Sequence, residues 1–124
     1  SIELSADQDG FRTEPQIAVN KQGVLGIAWM DRRDDPSGKC YAPYFTTSID
    51  GGQTFSKPIR VSTELSCPDI AQFGAAGRRW NTGGDYFGLS AAADGRFHLL
   101  WPDARNGTFE LWTTHLSVSV SNKN

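Results

Sequence analysis

The stretch Ser48-Ile-Asp-Gly-Gly-Gln-Thr-Phe55 decides which fold class we expect. Its centre, Asp50-Gly51-Gly52, has the composition of a tight turn. Aspartate accepts backbone N–H groups two residues further on, and glycine takes positive φ without a Cβ clash. Strand-like runs precede it at 44–49 and follow it at 59–62. We therefore expect a β-hairpin whose turn is locked by polar side chains.

An internal repeat is the second signal. Residues 17–33 can be laid over 89–105 without a gap, so that Gly23 meets Gly95 and Trp-x-Asp-x-Arg occurs at the same place in both copies. Short alternating runs separated by Gly, Asp and Pro indicate strands, and no long helical periodicity is present. The predicted strands are 15–19, 24–30, 44–49 and 57–62 in the first copy and 86–91, 96–101 and 109–116 in the second.

The turn sequence closely resembles the Asp-box, the repeated turn of the sialidase-like BNR β-propellers, where it joins the two outer strands of a four-stranded blade. This resemblance implies an all-β fold made of two four-stranded antiparallel blades of a propeller, which has six blades in the sialidase family. It implies no single activity, because Asp-box propellers include sialidases, other glycosidases, lectin-like binders and receptor ectodomains. The residues expected to lock the turn are Ser48, Asp50, Gly51, Gly52, Thr54 and Phe55.

The whole chain, 1–124, is expected to form one two-blade unit. Blade one covers about 14–62 and blade two about 84–120, while residues 2–5 resemble 59–62 and are expected to form an outer strand. Propellers have about four to eight blades, so two blades cannot close a ring. Either copies of the chain complete it, three copies giving six blades, or the remainder of a longer chain does. Both alternatives stay open.

Strand alternation places the loops that follow Trp-x-Asp-x-Arg on the face opposite the Asp-box turn. In the resembled family, that opposite face holds the active site. Long loops on a rigid scaffold are the usual place for binding. Guanidinium groups bind carboxylates through two parallel hydrogen bonds, so an acidic sugar or other glycan is the expected partner. The candidate ligand-binding residues are Asp31, Arg33, Arg78, Arg79, Trp80, Asp103 and Arg105. The alternative is that the repeated aspartates and arginines pair with each other and lock adjacent blades.

Catalysis is the next possibility. The resembled exo-sialidases and other glycoside hydrolases need an acid/base carboxylate and a nucleophile, which in sialidases is a tyrosine helped by a glutamate. Asp85, Tyr86 and Glu14 are residue types that could serve. The arginine-rich opening motif of classical sialidases is missing, so whether the chain is an enzyme stays open. Carbohydrate recognition is the leading hypothesis, and a fragment of an exo-sialidase and a structural interaction module without ligand are the alternatives.

Charge and cysteine content narrow the remaining possibilities. The net charge of −2 argues against a nucleic-acid partner, and no apolar run approaches the ~20 residues of a membrane-spanning helix. Without Cys-x-x-Cys or a phosphate-binding glycine loop, we expect neither metal nor cofactor. Cys40 and Cys67 fall in loops opposite the Asp-box, which favours a disulfide over two free thiols. A disulfide would in turn favour an extracellular or periplasmic protein.

Overall fold

The computed structural model describes residues 12–75 and 87–119, with the backbone alone at 12–14 and 73. Seven strands and one short 3-10 helix, Ile70–Phe73, lie in this part of the chain. The strands are β1 (Arg12–Val19), β2 (Leu25–Asp31), β3 (Ala42–Ser48), β4 (Ile59–Arg60), β5 (Gly88–Ala91), β6 (Phe97–Asp103) and β7 (Glu110–Leu116). No helix in the described ranges is both long enough and apolar enough to cross a bilayer.

The strands form two antiparallel sheets, in the orders β1-β2-β3-β4 and β5-β6-β7. The prediction of an all-β chain with two antiparallel sheets is confirmed. The expectation of four strands in each sheet is met only by the first, since the described part of the second sheet has three. No turn sequence like the one after β3 follows β7, where Leu116-Ser-Val continues without a glycine.

The two sheets pack face to face, but they use different faces. Directly paired residues on neighbouring strands point to the same side of a sheet. We call the side that carries Trp29 or Trp101 the tryptophan face of each sheet, and the other side its reverse face. The reverse face of the first sheet packs on the tryptophan face of the second. The buried side chains at this contact are Ala28, Met30, Phe45, Phe97, Leu99 and Trp101.

A glycine allows the sheets to approach closely. A Cβ atom on Gly26 would lie 2.6 Å from Cε1 of Phe97 and 3.0 Å from Cε2 of Phe45. Real Cβ atoms do not come that near, so the lack of a side chain at Gly26 makes room for the Phe97 ring. The rings of Phe45 and Phe97 then meet at a centroid distance of 5.3 Å and an interplanar angle of 58°. Tilted aromatic pairs of this kind add stabilisation beyond their buried area.

Two buried hydrogen bonds also join the sheets. The Tyr41 hydroxyl donates to the carbonyl oxygen of Pro102 at 2.5 Å. At the other end of the strands, Nδ2 of Asn20 donates to the carbonyl oxygen of Gly95 at 2.9 Å. Buried polar groups are costly unless they are paired, so these bonds favour one relative placement of the two sheets.

Candidate functional site

The turn between β3 and β4 is a closed network of hydrogen bonds. The Ser48 hydroxyl donates to Oδ1 of Asp50 at 2.8 Å and accepts from the Gly52 N–H at 2.9 Å. Oδ1 of Asp50 also accepts the N–H groups of Gln53 and Thr54, at 3.0 and 2.9 Å. The Thr54 hydroxyl donates to the second carboxylate oxygen. The bonds from Thr54 and Ser48 lower the pKa of Asp50 to about 2.

The backbone of this turn requires glycine. Gly51 and Gly52 have φ values of 72° and 91°, which residues with a Cβ rarely adopt. Phe55, at the end of the motif, is half-buried. The polar side chains of the motif make their hydrogen bonds within the turn. We therefore interpret the motif as a structural lock for this turn.

The Trp-x-Asp-x-Arg motif of the first sheet folds into a compact clamp around Asp31. Nε1 of Trp29 donates to Oδ2 of Asp31 at 2.8 Å. Arg33 donates to the same oxygen through Nη2 at 2.7 Å and Nε at 3.0 Å, and its backbone N–H donates to Oδ1 at 2.7 Å. Burial alone would raise the pKa of Asp31, but the hydrogen bonds from Arg33 and Trp29 outweigh it and hold the pKa below its ordinary value.

The second sheet repeats this clamp around Asp103. Nε1 of Trp101 donates to Oδ2 of Asp103 at 3.0 Å, and Arg105 donates to it through Nη2 at 2.8 Å and Nε at 3.1 Å. The Arg105 N–H donates to Oδ1 at 2.8 Å. Hydrogen bonds again outweigh burial and lower the pKa of Asp103. Trp29 and Trp101 thus share the same local chemistry.

Each clamp has a fourth member that the sequence analysis did not identify. The Arg33 guanidinium lies over the Tyr44 ring, 4.4 Å from its centroid, and the Arg105 guanidinium lies over Trp112 at 3.9 Å. In both sheets this aromatic residue stands directly opposite the tryptophan of the motif on the neighbouring strand. A cation over an aromatic face is stabilised by the ring quadrupole, so each arginine is held from two sides.

The clamps show which arginine each of the two repeated aspartates binds in this structure. Asp31 and Asp103 are each only 1% exposed, and each binds the arginine of its own motif. These two ion pairs therefore lie within their own sheets. Arg105 also reaches Glu64 in the loop after β4, with Nη1 3.5 Å from Oε2. The two carboxylates are inaccessible to a ligand, whereas the arginines keep a partly exposed edge.

A tyrosine on the loop side of the first sheet makes a separate contact. The Tyr44 hydroxyl donates to the carboxylate of Asp34, and Nη1 of Arg60 lies 3.4 Å from the same group. Burial, followed by the bond to Asp34, raises the pKa of Tyr44 above its ordinary value. Tyr44 therefore stays protonated at neutral pH and acts here as a hydrogen-bond donor.

The loops on this side are cross-linked. Cys40 and Cys67 form a disulfide with their Cα atoms 4.3 Å apart, so the bond anticipated from their loop positions is present in the structure. Asp35 accepts the N–H groups of Ser37, Lys39 and Cys40, at 2.9, 3.0 and 2.7 Å. The bonds from Cys40 and Ser37 lower the pKa of Asp35 to about 2. The loop after β2 is therefore held to the loop after β4.

The second long loop also contacts the second sheet. Tyr41 and Ser66 exchange backbone hydrogen bonds at 2.9 and 2.8 Å. The Ser66 hydroxyl then accepts the N–H of Ala104 at 2.8 Å, just before Arg105. Together with the disulfide, these bonds make a rigid surface, which we call the loop face. It consists of the described loops at 32–41, 61–75 and 104–109.

Several predicted site residues lie outside the described part of the chain. These are Arg78, Arg79, Trp80, Asp85 and Tyr86, together with the predicted outer strand at 2–5 and the side chain of Glu14. Their proposed roles stay predictions. Among the described residues, no group of three or more His, Cys, Asp or Glu side chains is arranged to hold a metal ion.

Comparison of the sequence with protein-family models gives no match, and comparison with curated proteins gives none either.

Proposed function

We propose that this chain supplies two consecutive blades of an Asp-box β-propeller that recognises carbohydrate on its loop face. One observation carries the proposal: two sheets with the same motif pack through unlike faces, the reverse face of one on the tryptophan face of the next. Head-to-tail stacking of equivalent sheets is how propeller blades succeed one another around a ring. In the proposed arrangement β3 and β4 would be the two outer strands of a blade, and the turn between them would be its Asp-box.

The loop face supports the carbohydrate part of the proposal. Its loops are held by a disulfide and by internal hydrogen bonds, so a ligand would meet a preformed surface. Arg33 rests on Tyr44, uses Nε and Nη2 for Asp31, and keeps 17% of its side chain exposed. An arginine held in this way suits the carboxylate of an acidic sugar. Arg79 and Trp80, which lie in sequence between β4 and β5, are proposed to add a second cation and a stacking ring.

A glycan array and a binding titration test this function on the full chain. We expect sialylated or uronic-acid glycans to bind. Arg79→Ala should weaken binding at least about tenfold through loss of a charged hydrogen bond, and Trp80→Ala should weaken it through loss of a stacking ring. Arg96→Ala is the matched control, because Arg96 pairs with Asp94 in the turn at the other end of the strands. Absence of any glycan bound, or unchanged binding by Arg79→Ala, would contradict the proposal.

A structural interaction module is the second candidate, and the buried clamps favour it. The carboxylates of Asp31 and Asp103 both accept hydrogen bonds from side chains of their own motif, as expected of residues that stabilise the ends of strands. An array without signal, combined with strong destabilisation when either clamp is broken, would support this candidate over carbohydrate recognition.

The enzymatic alternative has its own test. Hydrolysis of a fluorogenic sialoside by the full chain, abolished by Tyr86→Phe or Asp85→Asn, would support glycosidase activity. If the folded wild-type protein releases no fluorophore, the enzymatic alternative is excluded, and the proposal of carbohydrate binding is not affected.

A further inference from the structure

The tryptophan face is buried in one sheet and open in the other. In the second sheet its members Phe97 and Leu99 are completely buried against the first sheet. Their counterparts in the repeat are Leu25 and Ile27, which are only partly buried. On β1, Ile17 and Val19 belong to the same face through their pairing with Ile27 and Leu25, and they are 62% and 57% exposed. This side of the first sheet is an apolar surface, and none of the described strands packs on it.

The reverse face shows the opposite asymmetry. In the first sheet Ala28 and Met30 are completely buried. In the second sheet Leu100, the counterpart of Ala28, is 37% exposed, and Leu111 nearby is 60% exposed. A shallow depression of about 240 Å³ lies on this side, with Ser90, His98 and Leu100 among the residues that line it. Each end of the two-sheet stack therefore presents the face that the other end has buried.

We propose that the open tryptophan face of one copy of this chain docks on the open reverse face of a second copy, repeating the contact between its own two sheets. The inference rests on the proposed blade arrangement. The argument for a second copy is that the chain's own two sheets already pack in this way, with a reverse face on a tryptophan face. A contact between unlike faces leaves one open face at each end of a dimer, so it adds further copies, in a closed ring where the rotation between copies closes and in an open filament where it does not.

Side-chain sizes differ between the two contacts. Within the chain, the large Phe97 ring fits over Gly26. At the contact between copies, the equivalent positions are Leu25, which is smaller than Phe97, and His98, which is larger than Gly26. The space that the shorter Leu25 side chain leaves is therefore available to the His98 ring.

The contact between copies lacks the polar bonds of the internal one. The counterparts of Asn20 and Tyr41 are Ala92 and Phe109, which have no side-chain donor. The described side chains would then meet mainly through apolar contacts, and we expect reversible, concentration-dependent association rather than a permanent complex.

Sedimentation velocity and equilibrium on the full chain test the inference with a complementation design. Ile17→Glu blocks the tryptophan face, and Leu100→Glu blocks the reverse face. Both side chains are exposed enough for the variants to fold, which circular dichroism checks. We expect the wild-type chain to gain mass with concentration and each variant to stay monomeric. The two variants mixed in equal amounts should form a dimer, because one intact face of each kind remains.

Ile59→Glu is the matched control, because Ile59 is 52% exposed on the outer strand away from both open faces. This variant should associate like the wild-type chain. A wild-type chain that is monomeric at every concentration would overturn the inference and point to sheets of another or a longer polypeptide as the occupant. A mixture that stays monomeric would overturn it as well. Glycan binding is measured separately, so a monomer that binds glycans refutes this inference alone, and an oligomer that binds none refutes only the proposed function.

Discussion

Asp31 and Asp103 both accept hydrogen bonds from an indole N–H, a guanidinium group and a backbone N–H, although they lie in different sheets. We expect Asp31→Asn and Asp103→Asn to destabilise the fold by similar amounts, about 1–3 kcal/mol each. The reason is that the amide of asparagine turns a donor towards the buried indole and guanidinium groups, which themselves can only donate. Urea denaturation of the two variants measures the loss.

The exposed pair of Asp94 and Arg96 provides the comparison for these variants. Asp94→Asn removes an ion pair whose side chains are 47% and 40% exposed, so a much smaller change is expected. A large difference between Asp31→Asn and Asp103→Asn would contradict the view that the two clamps are equivalent.

Asp50 gives the turn a dependence on pH. Its pKa is about 2 in the folded protein against an ordinary value of 3.8, so folding favours the ionised carboxylate. The resulting stabilisation is complete above about pH 4 and is lost as the pH falls towards about 2. Asp50→Asn lacks it at every pH. We therefore expect the difference in Tm between the wild-type chain and Asp50→Asn to narrow between pH 4 and pH 2, measured by thermal denaturation.

Glu110→Gln is the control for this pH series, because it neutralises an exposed carboxylate on a strand. A gap between the wild-type chain and Asp50→Asn that stays constant down to pH 2 would mean that the carboxylate charge contributes nothing to the turn.

The sequence identified Asp31, Arg33, Asp103 and Arg105 as candidates but left open whether they bind a ligand or pair with each other. The period of two along a strand places Trp29, Asp31 and Arg33 on one side, which was a usable signal for their mutual contact. Tyr44 could not be assigned in the same way, because its place beside Arg33 depends on the register of two strands separated by a long loop. The direction of the Arg33 guanidinium is set by Asp31 of its own motif and by this neighbour together.

At the scale of the elements, Gly26 controls how closely the two sheets approach. Gly26→Ala should destabilise the fold by about 1–3 kcal/mol, because the new methyl group would overlap the Phe97 ring. Phe97→Leu removes that ring and should recover part of the loss in the double variant. Urea denaturation of the wild-type chain, both single variants and the double variant gives the coupling between the two sites.

Gly88→Ala is the matched change, since a Cβ atom there meets nothing within 4 Å. It should cost no stability when measured at low protein concentration. Additive effects of Gly26→Ala and Phe97→Leu would show that the predicted overlap does not limit the packing of the sheets.

Most strands were located correctly from alternation and turn residues, and the differences have local causes. β2 and β6 run on to Asp31 and Asp103, because the clamp keeps the chain extended beyond the last apolar residue. β4 is shorter than predicted, with only Ile59 and Arg60 paired as a strand. The N–H of Val61 donates to the carbonyl oxygen of Pro43, but the next donor before β4 is Ser56, to Thr47, so the ladder shifts register there and the strand is short.

At the scale of the molecule, alternation predicted the all-β class and the repeat predicted two similar sheets. Neither could predict which faces meet, because that depends on the relative bulk of residues far apart in sequence, such as Gly26 and Phe97. The structure supplies this information and so identifies the two faces that remain open. The outer faces of a self-contained two-sheet sandwich are usually polar, so the exposed aliphatic side chains of these two open faces agree with the proposed blade arrangement.

Association between copies should also appear in thermal stability. A partner that binds only the folded chain stabilises it by mass action, so the Tm of the wild-type chain should rise with protein concentration. Ile17→Glu removes one docking face and should give a Tm that does not depend on concentration, whereas Ile59→Glu should keep the wild-type slope. Scanning calorimetry over a wide concentration range measures all three. A slope that persists in Ile17→Glu would indicate association through another surface, and a flat wild-type response would argue against docking between copies.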